Sequence, residues 1–337
     1  MNIRVVVVLS IVALTGSAQA QSQSQSQSQS ALTAVNIVVG FSPGGGTDTY
    51  ARLLGRHIGN HIPSGPKVTV QNMPGSGSLK AVQSLATPSA SGTISMVTFN
   101  YGLITESQFN PEQVRTKLTD YKWIGSLDSV PAVCFSWAAN GIKTLDDLRK
   151  RTRFNIGAPA VGSSNHVNGM LLKNVARTPT HVVTGYPGSA DERIAIERGE
   201  LDGGCGAWSS IPPDWIGNGS IAPLVSFSTT PVAGLPPGVP FIGDVASGEH
   251  EKQLVNLLIG PSALGRPFIV SADTSAQFMA ILQTGFEGAA KDPHLLQEAS
   301  KMKLPINVVS GAEAERLVAA LYATSAKVIS DAKALVR

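Results

Sequence analysis

Ile37-Val38-Val39-Gly40-Phe41-Ser42-Pro43-Gly44-Gly45-Gly46-Thr47-Asp48 decides the reading of this chain. A short apolar strand runs into three glycines, and a helix opens at Thr47 or Asp48. Consecutive glycines leave backbone N–H groups uncovered and free to adopt φ > 0, and the following helix adds unpaired donors and the positive end of its dipole. The segment therefore reads as an anion nest, with Asp48 either capping the helix or facing a donor on a ligand. A Walker A loop needs Lys and then Ser or Thr after the last glycine, whereas Thr47-Asp48-Thr49 stands there, and the G-x-G-x-x-G pattern of dinucleotide sites is absent too. The anion is expected to be of carboxylate size.

Upstream, Met1–Ala20 carries Arg4, an apolar run from Val5 to Leu14 and the terminus Ala18-Gln19-Ala20. These are the marks of a cleavable signal peptide, and the apolar run is far short of the ~20 residues that span a bilayer. No cysteine lies near the cleavage point, so a lipid anchor is not indicated. Residues 21–30 are five Gln-Ser repeats, a polar tract that cannot bury enough surface to order itself, and are read as a disordered leader. Loss of Arg4 takes the formal charge from +3 to +2, a balance that speaks for neither nucleic acid nor a membrane surface. The expected location is the periplasm.

Residues 31–337 are long enough for two domains, and a hydrophobic fraction of 42% against 15% charged residues describes globular material. Strands are predicted over Asn36–Val39, Lys67–Gln71, Thr93–Phe99, Ala132–Trp137, Phe154–Gly157, His181–Thr184, Leu201–Gly206, Ile221–Phe227 and Asn256–Ile259. Helices are predicted between them over Asp48–His61, Leu79–Leu85, Thr144–Lys150, Asn165–Val175, Ser189–Arg198, Ser275–Ala289 and Ala312–Leu335. The alternation implies βαβ units, hence an α/β fold with mostly parallel sheets flanked by helices and a ligand beyond the carboxyl ends of the strands.

Four glycine-bearing loops fall at such ends, two in each half: Gly40–Asp48, Pro74-Gly75-Ser76-Gly77-Ser78, Gly162-Ser163-Ser164-Asn165-His166 and Tyr186-Pro187-Gly188-Ser189. Ser163 and Ser164 could cap a helix or donate to a carboxylate. Tyr186 could close over a ligand or plug a core edge. A serine hydrolase built on Ser163 and His166 is the enzymatic alternative. No G-x-S-x-G elbow surrounds Ser163 and no orienting acid is identifiable, so a structural His166 is the better reading. The six histidines and the two cysteines, 71 apart, form no full ligand set with metal-site spacing, so neither a metal nor a cofactor is expected. Cys134 and Cys205 both lie in strand-like runs and either form a disulfide or stay as two buried thiols, because the sequence does not give the distance between their Cα atoms.

Phe41-Ser42-Pro43-Gly44-Gly45-Gly46-Thr47-Asp48, followed by Ala51-Arg52, resembles the first ligand loop of the tripartite tricarboxylate transporter substrate-binding proteins, the Bug-type receptors. The family reads F-x-P-G-G-x-x-D there. Val68–Gly77 is similar to its V-x-V-x-N-x-P-G-x-G segment, Tyr121–Leu127 and Lys143–Leu148 fall where it has similar runs, and Gly162-Ser163 with His166 matches its G-S-x-x-H. Tyr186-Pro187-Gly188 and Arg198–Asp202 follow in the family's order.

The resemblance implies a two-lobed, type II-like periplasmic binding protein with the ligand between its lobes. Lobe 1 would comprise residues 31–129 and 245–337 and lobe 2 residues 130–244, with crossings near Ser129–Pro131 and within Ser228–Asp244. It would be a non-catalytic, monomeric receptor that captures a small carboxylated compound by hinge closure and delivers it to integral-membrane transporter subunits in the inner membrane; a sensor component of a two-component system is a further alternative. Carried over, Phe41, Ser42, Gly44, Gly45, Thr47, Asp48, Gly75, Ser76 and Gly77 hold the ligand from the first lobe. Ser163, Ser164, His166, Tyr186, Gly188 and Asp202 act from the second, without an Arg or Lys clamp. Ser42 stands where the family often has Pro, which adds a hydroxyl and an N–H to the loop.

Overall fold

The polypeptide forms two mixed β-sheets, each sandwiched between helices. The computed structural model describes residues 31–228 and 231–337; the expected signal peptide and Gln-Ser leader lie outside them. The first sheet is built from β1 (Ala34–Val39), β2 (Lys67–Asn72), β3 (Thr93–Thr98), β4 (Lys122–Ser126), β10 (Pro267–Val270) and β11 (Val309–Ser310), in the order β11-β4-β10-β3-β1-β2. The second holds β5 (Ala132–Trp137), β6 (Phe154–Ala158), β7 (Thr180–Thr184), β8 (Gly203–Ala207) and β9 (Ile221–Ser226), in the order β7-β6-β8-β5-β9.

The unbroken apolar run of β1 follows from burial on both faces. Val35, Ile37 and Val39 enter a core with Tyr50 and Leu54, while Val38 enters another with Phe99 and Trp123. Strand β5 divides in the same way, Cys134 facing one core of the second sheet and Phe135 the other.

Both sheets are mixed: most strands of each run one way, as expected, but not all. β1, β2 and β3 pair in parallel, as do β6, β7 and β8, but β10 runs antiparallel to β3 and β4, and β5 runs antiparallel to β8 and β9. The reason is connectivity. A parallel neighbour needs a crossover helix, whereas β4 passes straight to β5 across residues 127–131 and β10 returns from the second sheet through residues 260–266. A strand that enters from the other lobe starts at the cleft and runs against its neighbours.

Two predicted elements change type. Asn256–Ile259, expected as a strand, is the end of a helix over Gly248–Ile259, whose Leu254, Val255, Leu258 and Ile259 form one buried face. A four-residue apolar run does not reveal its period. The long C-terminal helix is two, Gly311–Tyr322 and Ala326–Leu335, because the Ser325 hydroxyl accepts from Val328 N and starts a new helix. The helices over 248–259 and 326–335 both pack into the core of the second sheet through Leu254, Leu258 and Ala332. The chain therefore returns to the first sheet later than residues 228–244.

Cys134 and Cys205 sit opposite each other in the β5–β8 register, with Cα atoms 4.0 Å apart, and are joined by a disulfide. The choice the sequence left open is made by strand pairing.

Candidate functional site

The glycine loop after β1 leads into helix α1 (Gly46–His57), one residue earlier than expected, with Gly45 at the N-cap and no side-chain cap. Asp48 does not cap it. Its carboxylate accepts from Gly44 N at 2.9 Å, from Asn72 Nδ2 at 2.8 Å and from Arg52 Nε at 3.1 and 3.0 Å. Asn72 Nδ2 also donates to Phe41 O at 2.9 Å, and Arg52 Nη2 donates to Asn72 Oδ1 at 2.8 Å. Burial raises the Asp48 pKa, but the bonds from Arg52, Gly44 and Asn72 outweigh it and hold the group below its ordinary value. Asp48 thus staples the loop from behind.

A cavity of about 860 Å³, its open mouth included, lies between the two sheets at the carboxyl ends of β1 and β6. The first lobe contributes Phe41, Gly45, Gly46 and Thr47, whose first-turn amides have no partner inside the helix. The second lobe contributes Ser164 and Asn165 at the start of helix α2 (Ser164–Asn174), and one face of helix α3 (Ser189–Glu197). Ser189, Glu192, Arg193 and Ile196 recur there at helical spacing.

Two charged groups on that face have different duties. The Arg193 guanidinium crosses the seam, Nη2 donating to Gly44 O at 2.9 Å and Nη1 to Ser210 O at 3.4 Å. Glu192, 5% exposed, accepts from Asn165 Nδ2 at 3.1 and 3.0 Å. Burial pushes its carboxyl up to about 8, against the lowering effects of Asn165 and Arg193.

Arg266 stands where the chain re-enters the first sheet and also lines the cavity. It pairs with the fully buried Asp128, donates from Nη2 to Ser209 Oγ at 3.0 Å and Ser210 Oγ at 2.8 Å, and lies 4.0 Å over the Tyr50 ring. Arginines thus border the site, although the sequence suggested that backbone amides would suffice.

The lobes touch directly along the seam. Ser42 Oγ donates to Asp191, Ser42 N donates to Pro187 O at 3.2 Å, and Ser164 N donates to Asn100 Oδ1 at 3.0 Å. Glycine is needed for this approach. A Cβ on Gly46 would overlap the Ser210 hydroxyl, and one on Gly188 would lie 2.6 Å from Ser42 Oγ.

The residues singled out from sequence therefore disperse. Phe41, Gly45, Thr47 and Ser164 line the cavity, and Ser42, Gly44 and Gly188 form the seam. Gly75, Ser76 and Gly77 meet Tyr186 in a second concavity beside Gly40 and Pro187. Ser163 is an N-cap whose hydroxyl donates to Ala160 O at 2.7 Å, while the His166 ring accepts from Gly162 N at 3.4 Å. Burial pushes His166 down to about 4, and because its ring is bonded to Gly162 N and the Ser163 hydroxyl to Ala160 O, the two side chains do not pair with each other. Asp202 lies at the far end of β6, where its carboxylate accepts from Asn155 N at 2.6 Å. Among the described residues no cluster of three metal-ligating side chains occurs, and no helix is long and apolar enough to cross a membrane.

Sequence reasoning missed Glu192, Arg193, Asn165, Asn100 and Arg266. The i, i+3, i+4, i+7 set on α3 was the one available signal, because it follows directly on a loop already placed at the cleft.

No family model matches the chain. It is 24% identical over 178 residues to a UPF0065 protein of Bordetella pertussis (strain Tohama I), a match that takes in 50% of this chain and 52% of that protein, so it spans about half that relative's length. Among solved structures it superposes on the periplasmic binding protein BugD with a TM-score of 0.69 at 18% identity, covering 90% of this chain and 96% of BugD. MatC from Rhodopseudomonas palustris with bound malate gives 0.69 at 16% identity over 91% and 99% of the two chains. An R. palustris protein solved with adipate gives 0.67 at 19% identity over 89% and 97%. The fold is that of the Bug- and TctC-type periplasmic binding proteins.

Proposed function

We propose that the chain is a periplasmic solute receptor that captures a small carboxylated compound between its lobes and does no chemistry on it. The observation that carries this is the cavity itself. Its walls come from Gly45, Gly46 and Thr47 on one lobe and from Ser164 and Glu192 on the other, so a ligand there bridges two bodies linked at residues 127–131, 260–266 and 323–325. Binding energy is then converted into closure, and the seam around Ser42, Asp191 and Arg193 is what closure assembles. The acid end of the ligand would meet the first-turn amides of α1, with Arg266 supplying positive potential behind them.

Malate and adipate in the neighbouring structures support a carboxylate as the ligand class. Delivery of the closed form to membrane transporter subunits, rather than to a sensor, rests on the resemblance of the loop motifs to the tripartite transporter receptors, as does the assignment of Ser42, Gly75, Ser76, Gly77 and Tyr186 to ligand contact. A thermal-shift screen of small carboxylates, run beside an ester-hydrolysis panel, tests the reading. A true ligand at a hundred times its Kd should add about 2.7 kcal/mol of stability. A melting curve moved by no carboxylate, or ester turnover lost in Ser163→Ala, would overturn it.

A further inference from the structure

Glu192 is a buried acceptor whose capacity the protein does not fill. Even when protonated, a carboxyl group keeps acceptor positions beyond one donor, and among the described residues the donor that reaches Glu192 is the amide of Asn165. The neighbouring Arg193 spends its guanidinium on Gly44 O and Ser210 O instead. Buried polar groups are costly when unmet, so a carboxyl lining a cavity with acceptor positions to spare favours a donor on whatever fills that cavity. A second ligand carboxylate there would be buried without a free cationic partner, because Arg193 is already bonded to Gly44 O and Ser210 O.

The remaining walls are flat and apolar. Phe41, Phe99 and Tyr101 come from the first lobe, and Phe135 and Trp215 from the second, faces against which an aromatic ring can lie offset or edge-on. Gly45, Gly46 and Thr47, the amides assigned to a carboxylate above, line the same cavity.

We propose that the cavity takes a monocarboxylate with a flat apolar body and a hydrogen-bond donor separate from its carboxylate, and that Glu192 receives that donor. This deepens the receptor reading and rests on it. Glu192 would then set specificity, because an analogue lacking the donor leaves the spare acceptor capacity of a buried carboxyl unfilled beyond its bond from Asn165.

Titration calorimetry of the protein with 4-hydroxyphenylacetate, phenylacetate and adipate tests it. The hydroxylated acid should bind roughly tenfold or more tightly than either of the others. Glu192→Leu, which removes the acceptor, should shrink that preference to about twofold, and the comparison of the three acids on the wild-type protein decides the matter even if the variant fails to fold. Phenylacetate binding as tightly as 4-hydroxyphenylacetate, or adipate binding more tightly than both, overturns the inference and leaves the receptor reading standing. A melting curve that no carboxylate moves defeats both.

Discussion

Asn72 donates a 2.8 Å hydrogen bond to the carboxylate of Asp48, and through it the end of β2 fixes the loop that follows β1. The same amide holds Phe41 O, so one side chain ties together the aromatic edge of the cavity and the staple behind it. The acidic residue of the glycine loop is thus an internal brace.

Replacing Asp48 with Ala should cost about 3 kcal/mol of stability, because Arg52 and the Asn72 amide lose a charged acceptor. Urea unfolding measures it. Asp48→Asn should lower stability more than it changes the affinity of any ligand that binds; an affinity loss at unchanged stability would show that the carboxylate faces the ligand after all.

Gly46→Ala should hinder closure. The added methyl overlaps the Ser210 hydroxyl across the seam, and overpacking of this kind costs about 1–3 kcal/mol, which is roughly tenfold or more in affinity. Unfolding of the ligand-free protein should change less, since an open form avoids the clash. Small-angle scattering of the variant with and without ligand should show a larger radius of gyration than the wild type; equal radii and equal affinity would remove Gly46 from the closing contact.

Stability should fall as pH rises from about 6.5 to 8. Glu192 is held protonated in the fold up to about 8 against an ordinary value of 4.5, so in that window the native state binds more protons than the unfolded one. Asn165 and Arg193 pull against this and Asp191 reinforces it. In Glu192→Gln the slope should flatten. A melting temperature equally dependent on pH in both proteins would count against the buried neutral acid.

His166 acts in the opposite direction. Its ring stays neutral down to about 4 while the unfolded chain protonates near 6.5, so its contribution is lost as pH falls between those values. Ring-proton chemical shifts should show His166 still neutral at pH 5. A midpoint near 6.5 would mean that the ring is not buried in solution.

Reduction of the Cys134–Cys205 bond should lower the melting temperature sharply, since a bridge closing 71 residues of sequence contributes about 4 kcal/mol on the chain-entropy account. Because Cys205 also lines the cavity, the Cys134→Ala/Cys205→Ala pair should weaken ligand binding as well. Unchanged unfolding in reductant would show that the paired strands alone hold this region.

Much of the fold was legible because its signals are local. The apolar run Ile37–Val39 before Gly44–Gly46 dictates strand, turn and helix whatever surrounds it, and Ser163, Ser275 and Ser310 announce helix starts by capping. The antiparallel course of β5 and β10 was not legible, since strand direction depends on which lobe the chain arrives from. Leu254–Ile259 was misread because a short apolar run is shared by strand and helix.

The site divided in the same way. The loops that carry it could be found from glycine, serine and proline in the sequence, because backbone conformation is a property of neighbouring residues. What faces the cavity could not. Asp48 turned to Asn72, 24 positions away, Arg193 reached Gly44 across 149, and Cys134 met Cys205 by strand register. The sequence by itself determined most of the strands and helices and the glycine loops at their ends. Only the tertiary structure decided which carboxylate is consumed inside the protein and which, Glu192, is left lining the cavity, since that depends on donors brought together from distant parts of the chain where the strand ends of the two sheets meet.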